Sequence, residues 1–201
     1  MRPNVSIALA ALALAACATS PPARFYTLSG PPPPAAPSST LSIVVGPVAI
    51  PAVVDRPEIV VSVGNNEVWL DEFNRWASPL ADAIAVATAE NLGSTLGTAR
   101  ATSLGQSTAV DAEYRVSVDV QRFESVPGSH ALLDALFTVR RTADGKSVTA
   151  RTTAREAAGD KSYDALAAAH SRAVAQLARD VADATRGIGA TAPARPLPVN
   201  R

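Results

Sequence analysis

The stretch AEYRVSVDVQRF, Ala112 to Phe123, alternates cleanly. Tyr114, Val116, Val118 and Val120 fall on one side; Arg115, Ser117, Asp119 and Gln121 fall on the other. Successive side chains of a strand point to opposite faces, so a period of two marks a strand with one face in a core and one in water. The phase slips at Arg122-Phe123, which predicts a bulge or the strand's end. Downstream, ALLDALFTVRRT (131–142) puts Leu133, Ala135, Phe137 and Val139 on one side. Asp144-Gly145 is a two-residue hairpin signal. SVTARTTAR (147–155) then alternates Val148, Ala150, Thr152 and Ala154 against Ser147, Thr149, Arg151 and Arg155. Three long antiparallel-type strands in succession set the frame for the rest.

A helix follows them, from about Ser162 to Arg186. Leu166, Ala169, Ala173, Leu177, Val181 and Ala184 form its apolar stripe, and Gly187 is the expected stop. Upstream, Trp76, Leu80, Ile84, Thr88, Leu92 and Leu96 recur every four residues, which predicts a helix over Asn74–Gly97 with Pro79 in its first turn. Before it, LSIVVGPVAI (41–50) and EIVVSV (58–63) read as strands. Gly64-Asn65-Asn66 is a turn, and EVWL (67–70) returns as a short strand. Strands, helix, three strands, helix is the order of an α/β domain. We expect a single domain over 41–187: a mixed β-sheet with two long helices packed on it.

The 201 residues suffice for a real core, built from Ala, Val, Leu and Ile because aromatics make up only 4%. The 18 basic and 18 acidic side chains cancel, so no electrostatic footprint for nucleic acid is present. One cysteine excludes an intrachain disulfide.

That cysteine ends an oily run, LAALALAACATS (9–20). Arg2 supplies a charged start, and Val5 to Ala16 is apolar except for Ser6. A membrane-spanning helix needs about 20 such residues, and this run is shorter, so residues 1–16 read as a secretory signal peptide. Leu14, Ala15 and Ala16 before Cys17 resemble the bacterial lipobox. The resemblance implies diacylglycerol on the Cys17 thiol, cleavage before it, and acylation (palmitate or a similar chain) of the new terminus. Ala18, where an aspartate would mark inner-membrane retention, implies the outer membrane, with the body in the periplasm. Residues 17–40 then read as the lipidated N-terminus and a Pro-rich tether. Within it, Phe25-Tyr26-Thr27-Leu28 is either a short edge strand or a few apolar residues in a mobile linker. Residues 188–201 read as a disordered tail.

Catalysis lacks its usual parts. His130, after Pro127-Gly128-Ser129, reads as an exposed turn residue, and His170 as a packed helix residue. Neither a G-x-S-x-G elbow, an H-E-x-x-H helix nor a phosphate loop occurs. No cofactor or metal is implied.

VGPVAIPAVVDRPEIVV (45–61) and FNRWASPL (73–80) resemble the PqiC family, ABC-type transport auxiliary lipoproteins of Gram-negative envelopes. The matching residues are Gly46, Pro47, Val48, Pro51, Asp55, Arg56, Pro57, Arg75, Trp76, Pro79 and Leu80, with Val53-Val54 where an aromatic or leucine is common. The resemblance covers about Phe25 to Arg186 and favours an ordered strand at 25–28. It implies a non-enzymatic outer-membrane lipoprotein working with an MCE-domain protein and inner-membrane transporter subunits in lipid transport, supporting envelope integrity. A single sheet with two Ala-rich helices offers little room for a private cavity, so lipid, with phospholipid the candidate cargo, is expected to pass through a homo-oligomer or a partner's channel. Asp55 is expected to brace a turn fixed by Arg56 and Pro57, or to pair with Arg75. Trp76 is expected to pack the helix start onto the sheet. Trp69 is the better interface candidate of the set, on a short strand near a turn, although packing is the favoured reading even there. Two rival functions stay open: an activator or assembly lipoprotein for another envelope machine, and a lipid-anchored hydrolase. The hydrolase would require a histidine in reach of both a serine and an acid.

Overall fold

The computed structural model describes residues 21–32, 34–105 and 111–190. The signal peptide, Leu14, Ala15, Ala16 and Cys17, and most of the expected tail lie outside those residues. The described chain is α/β, with eight strands and two helices. The strands are β1 (Arg24–Tyr26), β2 (Ile43–Ala49), β3 (Glu58–Ser62), β4 (Val68–Trp76), β5 (Ala101–Ser103), β6 (Tyr114–Val126), β7 (His130–Arg141) and β8 (Ser147–Ala157). The helices are α1 (Leu80–Leu96) and α2 (Tyr163–Ala190).

The strands divide into two mixed sheets rather than one. The larger has the order β5-β2-β6-β7-β8, the smaller β1-β4-β3. In the larger sheet β2 runs parallel to β5 and β6, while β6, β7 and β8 form an antiparallel meander. The alternation of β6 holds: Tyr114, Val116, Val118 and Val120 are buried, and Arg115, Ser117, Asp119 and Gln121 face water. The helices pack on the apolar face, α1 over β2 and β5, α2 over β7 and β8, and against each other. One core cluster runs through both sheets and both helices, joining Ile59 and Trp76 of the small sheet to Phe123, Phe137 and Leu177.

The phase slip is a bulge. Val120 faces Ala135 across the ladder, but the next pair is Arg122 with Asp134. The extra residue turns Phe123 and Ser125 inward, where unbroken alternation would have turned Arg122 inward. Two buried side chains of the site described below owe their direction to it.

Other local expectations shift. The helix expected from Asn74 begins at Leu80, because Asn74, Arg75 and Trp76 belong to β4. Their backbone is taken up by neighbouring strands: Trp76 N–H donates to Pro57 O at 2.7 Å, and β1 pairs along Asn74–Trp76. Pro79 also biases Ser78 away from helix. Strand β4 is therefore nine residues long, not the short return strand expected. Strand β5, Ala-Thr-Ser, carries no apolar alternation and was not expected. The Asp144-Gly145 turn is wider than a two-residue hairpin, since Arg141 N–H reaches Lys146 O (2.8 Å) and Gly145, at φ 70°, closes back on Arg141 O (3.0 Å). Helix α2 passes through Gly187 to Ala190, carrying buried Ile188 into what was expected to be tail.

Part of the segment expected to be tether contacts the body. Residues 24–30 lie on the body, beginning with β1 in the segment that was ambiguous in sequence. Tyr26 O accepts from Ala77 N–H (2.8 Å), and Leu28 is buried. Ser38 and Ser39 donate to Gly97 O at 2.9 and 3.0 Å. Gly97 ends α1 in the left-handed conformation (φ 64°), and a Cβ there would strike the Ser38 hydroxyl.

Candidate functional site

Asp55, Arg56 and Pro57 sit between β2 and β3; Trp76 to Leu80 join β4 to α1. The Trp76–Pro57 backbone bond brings the two segments together, and they line one open cleft of about 410 Å³. The far side of the turn is tied by Val54 N–H to Pro51 O (3.0 Å) and Arg56 N–H to Val54 O (2.9 Å). Sequence separates these residues by about twenty positions; the fold makes them one wall.

Arg56 is the chemically distinctive member. Its side chain is partly buried, and its Nε is enclosed without a hydrogen-bond partner. A buried, unanswered donor on a cation is costly unless a ligand answers the rest of the group. Asp55 is exposed at the same cleft. Pro79 caps α1 with no side-chain acceptor, so the first amides of the helix are left without a side-chain partner. Pro57, Trp76 and Leu80 supply the apolar wall. The expected Asp55–Arg75 pair does not form. Arg75 turns the other way, to Glu58 (3.6 Å) and Glu72 O (2.8 Å).

Trp76 anchors the cleft to the core. Only 5% exposed, it meets Phe123 and His170 edge-on, each at 6.1 Å. It packs as expected, although from a strand end and not a helix start. Phe123 and His170 stack at 3.8 Å, and His170 Nε2 bonds Ser125 Oγ at 2.8 Å. Burial alone depresses the His170 pKa to about 3, so the ring is neutral at pH 7, and its Nδ1 has no partner.

Both histidines have a serine in reach and neither has an acid. His130 opens β7 instead of sitting in a free turn, with Ser129 Oγ at 2.9 Å and Arg155 Nη2 at 3.1 Å on the same Nδ1. Burial, then the Arg155 charge, lowers its pKa. His170 is sealed from solvent. The serine–histidine–acid geometry that a hydrolase requires is not assembled at either ring. Among the described residues no group of three or more His, Cys, Asp or Glu is placed to hold a metal ion, and no helix is long and apolar enough to cross a membrane.

Trp69 lies outside the cleft, on β4 opposite Val61, and is 61% exposed. The packing favoured for it in sequence does not occur. A second cavity, which sequence reasoning missed, lies where Pro21, Pro22 and Arg24 pass Asp71, Phe73 and the start of α2. Burial there pushes the Asp71 carboxyl up, but the Phe73 N–H, the Tyr163 hydroxyl and Asn74 outweigh it and hold the carboxyl below its ordinary value. Tyr163, partly buried and bonded to Asp71, is pushed up, first by burial and then by that bond. Nothing in residue spacing could have shown that these segments meet.

The family described as "ABC-type transport auxiliary lipoprotein component" matches residues 26–182. No curated protein matches the chain significantly. Among solved structures, one described only as an uncharacterized protein aligns over 84% of this chain and 99% of its own, at 18% identity and a TM-score of 0.66. Protein XCC0632 from Xanthomonas campestris, of family DUF330, aligns over 84% and 98%, at 19% identity and a TM-score of 0.64. At these identities the likeness establishes the fold.

Proposed function

The chain belongs to the ABC-type transport auxiliary lipoprotein family, and from that premise we propose that it is the lipid-anchored, non-enzymatic outer-membrane member of an MCE-type lipid transport system. Cys17, after Leu14-Ala15-Ala16, carries the acyl chains. Ala18 directs the mature chain to the outer membrane, with the domain in the periplasm. Two or three acyl chains exceed what stable anchoring needs, at about 0.8 kcal/mol per buried methylene.

The observation that carries this reading is the convergence of Asp55, Arg56, Pro57, Trp76, Pro79 and Leu80 on one open cleft, with a partly buried arginine whose Nε has no partner. A cleft with a cation, an acid and an apolar wall suits a protein partner better than a reaction, since neither histidine lines it to activate Ser78. We assign it to the contact with the MCE-domain protein or its membrane subunit. Arg56 takes the partner's acceptor, and Trp76 keeps the wall rigid from behind. Lipid passes along the partners' conduit or through a homo-oligomer, because one packed core cluster joins both sheets and both helices.

The test is recovery of the tagged, lipidated chain from native membranes, with co-purifying proteins identified. Wild type recovers an MCE protein, and Arg56→Ala loses most of it while melting within a degree or two of wild type. Equal recovery by Arg56→Ala removes the cleft from the interface. Recovery of a different envelope machine by wild type supports the activator or assembly reading instead.

A further inference from the structure

The cleft leaves one apolar feature unexplained. At the tip of the β3–β4 hairpin, Val63, Val68, Trp69 and Leu70 are 55%, 47%, 61% and 40% exposed. The last three are consecutive on β4, so both faces of the strand present apolar surface to water. Monomers rarely leave such a patch without a use. No Lys or Arg occurs between Pro57 and Asn74, while Glu58, Glu67, Asp71 and Glu72 do. An acidic partner therefore does not fit the tip.

Strand register indicates what does. Strand β1 runs parallel to β4, with Arg24 opposite Asn74. Following the chain backward from Arg24 therefore leads along β4 toward the hairpin tip. The first steps take that path, since Pro21 and Pro22 line a cavity with Asp71 and Phe73. Cys17 precedes Arg24 by seven positions, as Glu67 at the tip precedes Asn74 by seven (24 − 17 and 74 − 67). Seven extended residues reach about 23 Å, enough to bring the Cys17 sulfur level with the tip.

We propose that the tip of the β3–β4 hairpin sits in the surface of the bilayer, beside the acyl chains of Cys17. The proposal rests on the lipidation of Cys17 proposed above. Tryptophan with Val and Leu is the composition of a shallow interfacial contact, and the nearby carboxylates make that contact apolar rather than electrostatic. The contact gives the domain an orientation that a flexible tether cannot. The far end of β4, with Trp76 and the cleft, is then held about 23 Å from the tip, facing away from the lipid.

The mature lipidated chain, reconstituted into phosphatidylethanolamine–phosphatidylglycerol vesicles with and without acyl-brominated lipid, tests this. The chain has two tryptophans, and Trp76 is buried in the core, so the bromine-sensitive emission reports Trp69. Expected are a blue shift on reconstitution and loss of emission in brominated vesicles, both absent from Trp69→Phe. Vesicles with more anionic lipid should quench no better. A chain that floats with the vesicles but keeps its emission overturns the hairpin contact alone. So does a blue shift without bromine quenching, the signature of a second copy or a protein covering the tip. A chain that does not float overturns the lipidation reading and the proposal with it.

Discussion

Trp76 and His170 show how one side chain ties the cleft to the core. Trp76→Ala empties the space against Phe123 and His170, and a buried Trp→Ala costs about 3–5 kcal/mol. Urea denaturation should show this as a lower midpoint with an unchanged slope. His170 adds a pH dependence of definite sign. Its folded pKa, about 3, lies below its ordinary 6.5, so the unfolded chain takes up the proton first as pH falls. Its contribution is complete above pH 6.5 and declines toward pH 3, by up to about 1.4 kcal/mol per pH unit. His130, also lowered, acts in the same direction from a more open position. The Ser125→Ala/His170→Phe pair should therefore flatten stability between pH 6.5 and 4 relative to wild type, measured by urea titration at each pH. The packing of His170 was legible in sequence from its place beside the apolar stripe. Its stacking on Phe123 was not, because the β6 bulge decides which way Phe123 points.

Among elements, the two glycines near the helix ends should respond oppositely to alanine. At Gly97 the backbone is left-handed and Ser38 closes over it, so Gly97→Ala should lower stability by at least about 1 kcal/mol. Gly187 lies inside α2 with open space where a Cβ would go. Gly187→Ala should therefore raise stability by about 0.5–1 kcal/mol. The sign at Gly187 separates a helix that continues to Ala190 from one that stops where the sequence places a stop signal; thermal melts of both variants read it. Glycine after an apolar stripe is an ambiguous mark, because a cap and a tolerated interior residue look alike until tertiary contacts choose. Here buried Ile188, with Arg141 donating to its carbonyl at 3.2 Å, holds the last turn. The start of α1 failed for a similar reason. The spacing from Trp76 to Leu80 fits a helix, but the partners of Trp76 lie in β1 and the β2–β3 turn.

For the whole molecule, membrane attachment should reside in one atom. Cys17→Ser should abolish palmitate labelling and move the chain from the membrane to the soluble fraction, while its melting temperature stays that of wild type. Palmitate on wild type together with an unlabelled, soluble variant is the expected pair of results. The hairpin tip, seated shallowly, should not hold the variant on the membrane by itself.

What the sequence determined was whatever depends on neighbours along the chain. The period of β6 to β8, the stripe of α2 and the slip at Arg122-Phe123 all lie within local stretches, where backbone geometry reads them. Tertiary structure alone decided what depends on distant segments meeting. It split the strands into two sheets, docked residues 24–30 and Ser38–Ser39 on the body, turned Arg75 to Glu58, left Trp69 in water and closed Asp55, Arg56 and Trp76 around one cleft. Those outcomes follow from pairing energies between strands far apart in sequence, and a local pattern carries no record of which distant edge a strand will find.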